Sequence, residues 1–382
     1  MAPDPLPAWD DLRRQMPVTA HWAYFDHAAV SPLPAPTRAR LTEWADDACQ
    51  HGVAHWDRWA AWVDDARRLG AALVGAELDE IALVRNTTEG ISLVAEGYPW
   101  QPGDNVVTLD TEFPSNRLPW QNLASRGVET RLVAAAHDSV DLAALAAACD
   151  ARTRIVSVSW VGYAAGYRLD LDAVCEIARR TGTLVMVDAI QALGMFPLDV
   201  RATPIDFLAA DGHKWLLGPE GAGLLYIRRE QLERLRPLGV GWNSVEQSGD
   251  FSRLDVTLKA SAARYEGGSY NLAGIGGLAA SLELLVRWGP AAIGQRLIEV
   301  TDEACRRLER AGMIVRSCRD DGRASGIVAF DVPGRTPSSI RATCRRQGVL
   351  LNARAGHVRI SPHAYTNEYD LDRLLEALAD SA

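Results

Sequence analysis

The most informative segment of the sequence is 206–219, which reads DFLAADGHKWLLGP and carries Lys214 among apolar residues and glycines. Lysine is seldom buried without a partner, so this context is unusual. If Lys214 is partly buried, its pKa falls and the neutral amine can attack an aldehyde. A solvated loop lysine is the ordinary alternative, but the surroundings favour a functional residue. His213 beside it is a candidate contact to a phosphate or a ring.

Apolar runs rich in β-branched residues alternate with helical patterns around this segment. The pattern predicts helices at Leu142–Ala148 and Leu171–Arg180. It predicts strands at Ile81–Val84, Asn105–Leu109, Arg154–Ser159, Thr183–Val187 and Gly223–Ile227. Such alternation is typical of βα units around a mostly parallel, buried sheet.

The last third of the chain has a different pattern. It predicts long helices at Leu272–Trp288 and Ala292–Ala311, short strands at Gly326–Phe330 and His357–Ile360, and further helices at Ser338–Gln347 and Leu371–Leu378. We therefore predict a large domain, 20–288, and a small C-terminal α+β domain, 289–382, to which the N-terminal segment 1–19 is assigned.

Composition and charge narrow the class of protein. The chain has 382 residues, enough for two domains, and a formal net charge of -9, which argues against a nucleic-acid surface. Its six cysteines form no CxxC pair, so the spacing indicates no metal site, and their spread favours reduced thiols in a cytoplasmic protein. The sequence has no apolar run of membrane-spanning length and no visible signal peptide, so we expect no membrane partner.

Ligands of open α/β sheets bind beyond the carboxyl ends of the strands, so the residues that follow each strand are candidates. Thr87 and Thr88 follow the first predicted strand at a helix start, where free N–H groups would hold a phosphate. A capping box from Asn86 to Glu89 explains the same residues without a ligand.

Two aromatic residues follow the next strands. Phe113 can stack on a planar ring, and Tyr163 can make a polar contact to a ligand. Packing of either ring in the core or at an interface is the commoner outcome.

Two charged residues stand in apolar strands. Asp188 ends one of them, which costs free energy unless a cation or a strong donor pairs with it. A protonated pyridine nitrogen is such a partner, and a helix N-cap is the alternative. The guanidinium of Arg359 is suited to a carboxylate, and a solvated arginine on an edge strand is the alternative.

The order and spacing of these elements resemble the class V aminotransferase family of fold-type I pyridoxal 5'-phosphate (PLP) enzymes. That family includes cysteine desulfurases, selenocysteine lyases, isopenicillin N epimerase and kynureninase. The resemblance extends from the segment YFDHAA, 24–29, to the final helix, and its most specific part is Asp188-x-x-Gln191 followed by Gly212-His213-Lys214. It implies an α/β fold with a mostly parallel, seven-stranded-type sheet in the large domain.

The resemblance also implies roles for matching residues. Lys214 would hold PLP as a Schiff base and move protons at the substrate's α-carbon, and Asp188 would keep the pyridine nitrogen protonated. The other cofactor-binding residues would be Thr87, Thr88, Phe113, Tyr163, Gln191, His213 and Ser269. Ser269 would reach the phosphate of the neighbouring subunit, which implies a homodimer with shared active sites.

Substrate binding is implied for three residues. Arg359 would hold the α-carboxylate of an amino acid substrate, with Asn271 close by. His27 is one of several aromatic residues that either line the substrate pocket or belong to the core or an interface.

Three departures from the cysteine desulfurase pattern stand out. The segment LLNARAGHVR, 350–359, contains no cysteine where desulfurases carry the one that accepts sulfur, and Cys344 does not match it. Phe113 stands where desulfurases place an acid–base histidine. Asp211 replaces a phosphate-binding serine, so we expect that Asp211 points away or that other groups bind the phosphate.

The resulting prediction is a PLP-dependent enzyme that acts on an amino acid or amine. The expected reaction is a β-elimination, including C–S cleavage, or an epimerisation, without a persulfide cysteine. Transamination is the alternative. An alternative of another class is a non-catalytic PLP-binding dimeric protein, against which Lys214, Asp188 and Arg359 argue, because each is costly to bury without a ligand.

Overall fold

The centre of the molecule is a seven-stranded sheet. The computed structural model describes residues 9–136 and 139–379. In chain order the strands are β1 Ile81–Val84, β2 Asn105–Leu109, β3 Glu129–Val133, β4 Thr153–Ser159, β5 Leu184–Asp188, β6 Phe207–Asp211 and β7 Gly223–Ile227. Their order across the sheet is β1-β7-β6-β5-β4-β2-β3.

All but one of the strands run in the same direction. β7 is antiparallel to both of its neighbours, β1 and β6, while the other pairs are parallel. All residues of β1, β2, β6 and β7 are buried, which explains their nearly continuous apolar sequences. The predicted mostly parallel, buried sheet is confirmed.

The predicted strands β1, β2 and β7 have their predicted bounds. β4 begins one residue earlier than predicted, and both ends of β5 are shifted by one residue. The sequence pattern missed β3 and β6. β3 lies at the edge of the sheet and is only partly buried, and the apolar run of β6 is short and ends on an aspartate.

Eleven α-helices occur in the described part of the chain. They are α1 Trp9–Arg14, α2 Ala35–His51, α3 Trp56–Val74, α4 Thr87–Gly97, α5 Leu118–Gln121, α6 Leu142–Ala148, α7 Leu171–Thr181, α8 Leu272–Trp288, α9 Pro290–Arg310, α10 Pro337–Arg346 and α11 Glu368–Ala379. The helices predicted from the sequence are present, with shifts of a few residues in α9 and α11. No single helix of the described residues is long and apolar enough to cross a membrane, although α8 and α9, bent by 79° at their junction, pass that test as a pair.

A second sheet lies in the last third of the chain. Its strands are β8 Ile314–Val315, β9 Val328–Asp331, β10 Asn352–Arg354 and β11 His357–Ile360, in the order β8-β9-β11-β10. Every pair in it is antiparallel. The division at residues 288 and 289 stays a prediction.

Residues 23–26 pair with the last third of the chain, partly in a separate two-stranded sheet. Ala23–Tyr24 pairs in parallel with Val349–Leu350, and Asp26 forms an isolated bridge with Ser361. The pairing places Asp26 next to Arg359 of β11.

Candidate active site

A cavity of about 420 Å³ lies where several parallel strands of the central sheet end. β5 and β6 contribute Asp188 and Asp211, their last residues, and the residues after β1 and β2 complete that side. The structure brings nine of the predicted site residues to this cavity: Thr87, Thr88, Phe113, Tyr163, Asp188, Gln191, His213, Lys214 and Arg359.

Lys214 and Asp188 both line the cavity, and both have pKa values well away from their ordinary values. Burial lowers the pKa of Lys214 to about 8, against the opposing attraction of Asp188. Burial raises the pKa of Asp188 to about 6, although the Ile190 N–H donates to its carboxylate at 3.0 Å. The Nζ atom of Lys214 lies 5.6 Å from the ring centroid of Phe113. The lysine is therefore a candidate nucleophile and base near neutral pH.

The turn that presents Lys214 depends on close backbone packing. A Cβ at Gly212 would lie 2.5 Å from the carbonyl oxygen of Ala222. Glycine at this position lets β6 and the start of β7 approach each other, and it fixes where the chain leaves the sheet.

The start of α4 provides hydrogen-bond donors. Asn86 accepts the Glu89 N–H at 2.8 Å, so the predicted cap is present. The Thr87 hydroxyl accepts the Asp211 N–H at 3.0 Å, which leaves its own hydrogen free to donate. The Thr88 hydroxyl donates to Ser115 at 2.7 Å. Because the helix start itself also lines the cavity, an anion is favoured there.

Asp211 and His213 form a contact within the cavity. The Oδ2 atom of Asp211 lies 2.9 Å from Nδ1 of His213, while Oδ1 is buried and has no hydrogen-bond partner among the described residues. Asp211 lines the cavity, and its orientation relative to a bound phosphate and phosphate binding by other groups both stay predictions.

The amide of Gln191 is held in one orientation. Trp215 donates its indole N–H to Gln191 Oε1 at 2.9 Å, and Gln191 Nε2 donates to the Ala28 carbonyl at 3.0 Å. The second hydrogen on Nε2 has no partner among the described residues, so Gln191 can donate a hydrogen bond to a ligand in the cavity.

Arg359 is almost fully buried, with 1% of its surface exposed. Its Nη1 donates to the Tyr163 carbonyl at 2.6 Å, its Nη2 lies 3.5 Å from Asp26, and its buried Nε has no partner among the described residues. Burial lowers its pKa to about 10. β11 has neighbours on both sides, so the alternative of a solvated edge-strand arginine is wrong.

Three predicted site residues do not line the cavity. His27 is fully buried, with Nδ1 2.9 Å from the Ser361 carbonyl and Nε2 2.8 Å from the Tyr365 hydroxyl, and burial lowers its pKa to about 4. Asn271 caps α8 by accepting the Gly274 N–H at 3.0 Å. Ser269 is exposed and lies outside the cavity of its own chain.

The sequence reasoning missed Arg354, an exposed residue of β10 that also lines the cavity. No distinctive pattern surrounds it, because exposed arginines are common. Of the described residues, no cysteine lines the cavity. Cys344 is fully buried, and burial raises the pKa of its thiol to about 11.

Comparisons with known proteins agree with this architecture. A family model described as aminotransferase class-V matches residues 23–374. The chain is 32% identical to a probable cysteine desulfurase of Methanothermobacter thermautotrophicus, with 98% of each chain covered. It is 30% identical to the isopenicillin N epimerase of Streptomyces clavuligerus, with 97% of each covered.

Solved structures of the protein C-DES have the same fold. One has glycine covalently linked to its PLP cofactor, and it matches with a TM-score of 0.90 and 25% identity over 96% of this chain and 99% of that one. Another is the complex of this cystine C–S lyase with its product cysteine persulfide, with a TM-score of 0.89. The predicted fold class is thereby confirmed. With a family match over most of its length, the chain belongs to the class V aminotransferase family of PLP-dependent enzymes.

Proposed function

We propose that this chain is a lyase that removes the α-proton of an amino acid and eliminates its β-substituent, C–S cleavage included. The observation that carries the proposal is the presence in one cavity of a lysine with a lowered pKa and a buried aspartate, Lys214 and Asp188, together with the buried Arg359. Perturbed ionisable groups that share a cavity are typical of catalytic sites.

The donors and acceptors of the cavity fit PLP. The buried Asp188 carboxylate suits a protonated ring nitrogen, and the Lys214 amine suits the aldehyde. The free hydrogens of Thr87 and Gln191 suit the phosphate and the ring oxygen respectively. The remaining groups that we assign to the cofactor are Thr88, Phe113, Tyr163 and His213.

Bound PLP supplies an electron-withdrawing ring that stabilises negative charge at the substrate's α-carbon. Arg359 binds and orients the α-carboxylate. Lys214 takes the α-proton as a neutral amine, for which its pKa of about 8 is suited. The β-substituent leaves with its bonding electrons, and the Lys214 ammonium returns the proton to it. The elimination is balanced without an oxidant or a reductant.

Two features favour elimination without a protein persulfide. No described cysteine lines the cavity, so no protein thiol is placed to accept sulfur. Phe113 offers a face for stacking and carries no exchangeable proton, so we assign the transfer of the α-proton to Lys214. The similarity to the cystine C–S lyase C-DES supports the same reaction class.

An epimerase-like reaction is the second candidate. It is supported by the similarity to isopenicillin N epimerase over nearly the whole chain. Epimerisation differs from elimination after the α-proton has been removed. The proton would return to the opposite face of the α-carbon, and no bond at the β-carbon would break.

We assign the enzyme to a homodimer with shared sites. Ser269 is exposed and outside its own cavity, as a residue that serves the neighbouring subunit would be. Large apolar side chains are exposed in the nearby segment 240–256: Val240, Trp242, Phe251, Leu254 and Val256. Burial against a second copy would remove this apolar surface from water. The six unpaired cysteines support a reducing, cytoplasmic location.

The first experiment is the visible absorption spectrum of the purified protein before and after borohydride. The chain contains two lysines, Lys214 and Lys259, so peptide mapping of the reduced adduct has two possible outcomes within the chain apart from its terminal amine. We expect the label on Lys214. Incubation with a panel of amino acids would then give pyruvate or another elimination product. Formation of the other enantiomer of the amino acid as the one product would indicate epimerisation. Formation of a keto acid together with pyridoxamine 5'-phosphate would indicate transamination.

A further inference from the structure

Arg354 and Arg359 project from adjacent strands towards the same cavity. In the β10–β11 register, Asn352 lies opposite Arg359, and Arg354 lies opposite His357. Side chains alternate along a strand, so Asn352, Arg354 and Arg359 share one face of the sheet. Diagonal neighbours on such a face are about 7–8 Å apart, a spacing that two long side chains can close on one small molecule.

The turn between the strands fixes Arg354 at the edge of the cavity. Ala355 and Gly356 both have positive φ, 49° and 85°, as a two-residue hairpin turn of this kind requires. Alanine rarely adopts this conformation, so the turn is strained but tight. His357, the first residue of β11 after the turn, is fixed by a contact of its own, because its Nδ1 atom lies 2.6 Å from Oδ1 of Asp331.

The guanidinium of Arg354 is free to bind a ligand. It has no hydrogen bond and no ion pair to any residue that the structure describes, although it lines the cavity. Arg359 differs, because it lies beside Asp26 and is fixed by the Tyr163 carbonyl. The cavity thus offers one buried arginine and one unpaired arginine on the same face.

We propose that Arg354 and Arg359 together form a two-point anion site, and that the preferred substrate is an amino acid with a second anionic group on its side chain. The inference rests on the proposed function, in which Arg359 binds the α-carboxylate. Arg354 then binds the side-chain carboxylate or an equivalent anion with paired N–H donors. A neutral side chain of the same size would gain no ion pair with the exposed Arg354, whose charge would stay solvated and would interact with Asp26 only through space.

The test uses the holoenzyme and pairs of amino acids that differ in charge and hardly in size. The change of the visible spectrum is titrated with L-aspartate against L-asparagine, and with L-glutamate against L-glutamine. We expect the acidic member of at least one pair to bind about tenfold or more tightly, as a hydrogen-bonded charge pair predicts. Arg354→Gln should remove this preference and leave the affinity for the neutral member unchanged, and Arg354→Lys should retain part of it.

A matched control is Arg341→Gln, which removes the same charge from an exposed residue of α10 outside the cavity. It should keep the full preference. The proposal is overturned if the wild-type enzyme binds both members of each pair equally, or if Arg354→Gln keeps the preference. Failure of the proposed function is a different result, namely no spectral response to any amino acid, acidic or neutral.

Discussion

The Oδ2 atom of Asp211 lies 2.9 Å from Nδ1 of His213, at the end of β6 and directly before the lysine of the site. A carboxylate there adds negative charge to the region that we assign to the cofactor phosphate. Like charges repel, so Asp211 should weaken PLP binding relative to a neutral residue.

Asp211→Asn should therefore bind PLP more tightly. Two unit charges about 4 Å apart interact by about 1 kcal/mol in water and more strongly at a buried residue such as Asp211, so the expected gain in affinity is about fivefold or more. The dissociation constant is measured by titrating the cofactor-free protein with PLP. Asp46→Asn, at an exposed residue of α2, is the control and should have no effect. A loss of affinity in Asp211→Asn would mean that the contact to His213 helps to hold the cofactor.

The lowered pKa of Lys214 predicts the pH dependence of cofactor attachment. In the cofactor-free protein, the rate of attachment should rise about tenfold per pH unit below about pH 8 and level off above it, because the neutral amine reacts. Stopped-flow absorbance measures the rate. Lys214→Ala should form no reducible adduct, and Lys259→Arg should keep the wild-type profile. A plateau that begins only near pH 10 would show that Lys214 is not desolvated.

The same shift predicts a stability profile for the cofactor-free protein. The folded pKa of Lys214 lies below its ordinary value of 10.5, so the folded state binds fewer protons than the unfolded state between about pH 8 and 10.5. Its contribution to the free energy of unfolding should rise with pH across that window and be smallest below it. Chemical denaturation of the wild type and of Lys214→Met, each measured near pH 8 and near pH 10.5, gives the free energy of unfolding. The rise with pH that Lys214 causes should be absent in Lys214→Met.

Arg359→Ala should weaken the binding of carboxylate substrates several-fold or more while PLP stays bound. Removal of the guanidinium also leaves the Asp26 carboxylate with Asn352 as its remaining hydrogen-bond donor among the described residues, so the melting temperature should fall. Arg359→Lys keeps a charge beside Asp26 and should restore stability more than substrate affinity, because lysine lacks the planar pair of donors. Unchanged affinity in both variants would remove Arg359 from the substrate site.

Phe113→Ala should weaken PLP binding without removing the attachment to Lys214. An aromatic pair contributes about 0.5–1.5 kcal/mol beyond area burial, which corresponds to about a 2- to 10-fold change in affinity. Phe113→Tyr keeps the ring and is the matched control. Since the Phe113 side chain is 42% exposed, its loss should change the free energy of unfolding little. Equal PLP affinity in wild type and Phe113→Ala would show that the ring does not stack on the cofactor.

Most of the sheet could be predicted from local pattern, because fully buried strands such as β1, β2 and β7 have continuous apolar sequences. The direction of β7 could not, since it depends on pairing with β1, far away in the sequence. β6 was missed for a related reason: its five residues are buried between two strands, yet the sequence ends on Asp211, which is more typical of a turn.

The site shows a similar limit. Lys214 and Asp188 have unusual sequence contexts, and the structure brings them to one cavity. The burial of His27 against Ser361 and Tyr365 depends on how the chain around residue 27 meets the residues after β11, which no local pattern contains. Arg354 was missed because its position over the cavity follows from the register of β10 and β11.

The tight turn at Ala355 and Gly356 also limits what this enzyme can pass to other proteins. Only four residues separate Arg354 and Arg359. This segment is too short to move out of the cavity and transfer a bound atom to an acceptor protein. In the elimination that we propose, we therefore expect the released group to leave by diffusion. An assay in the pure protein, with no carrier protein added, should therefore already reach the full turnover rate.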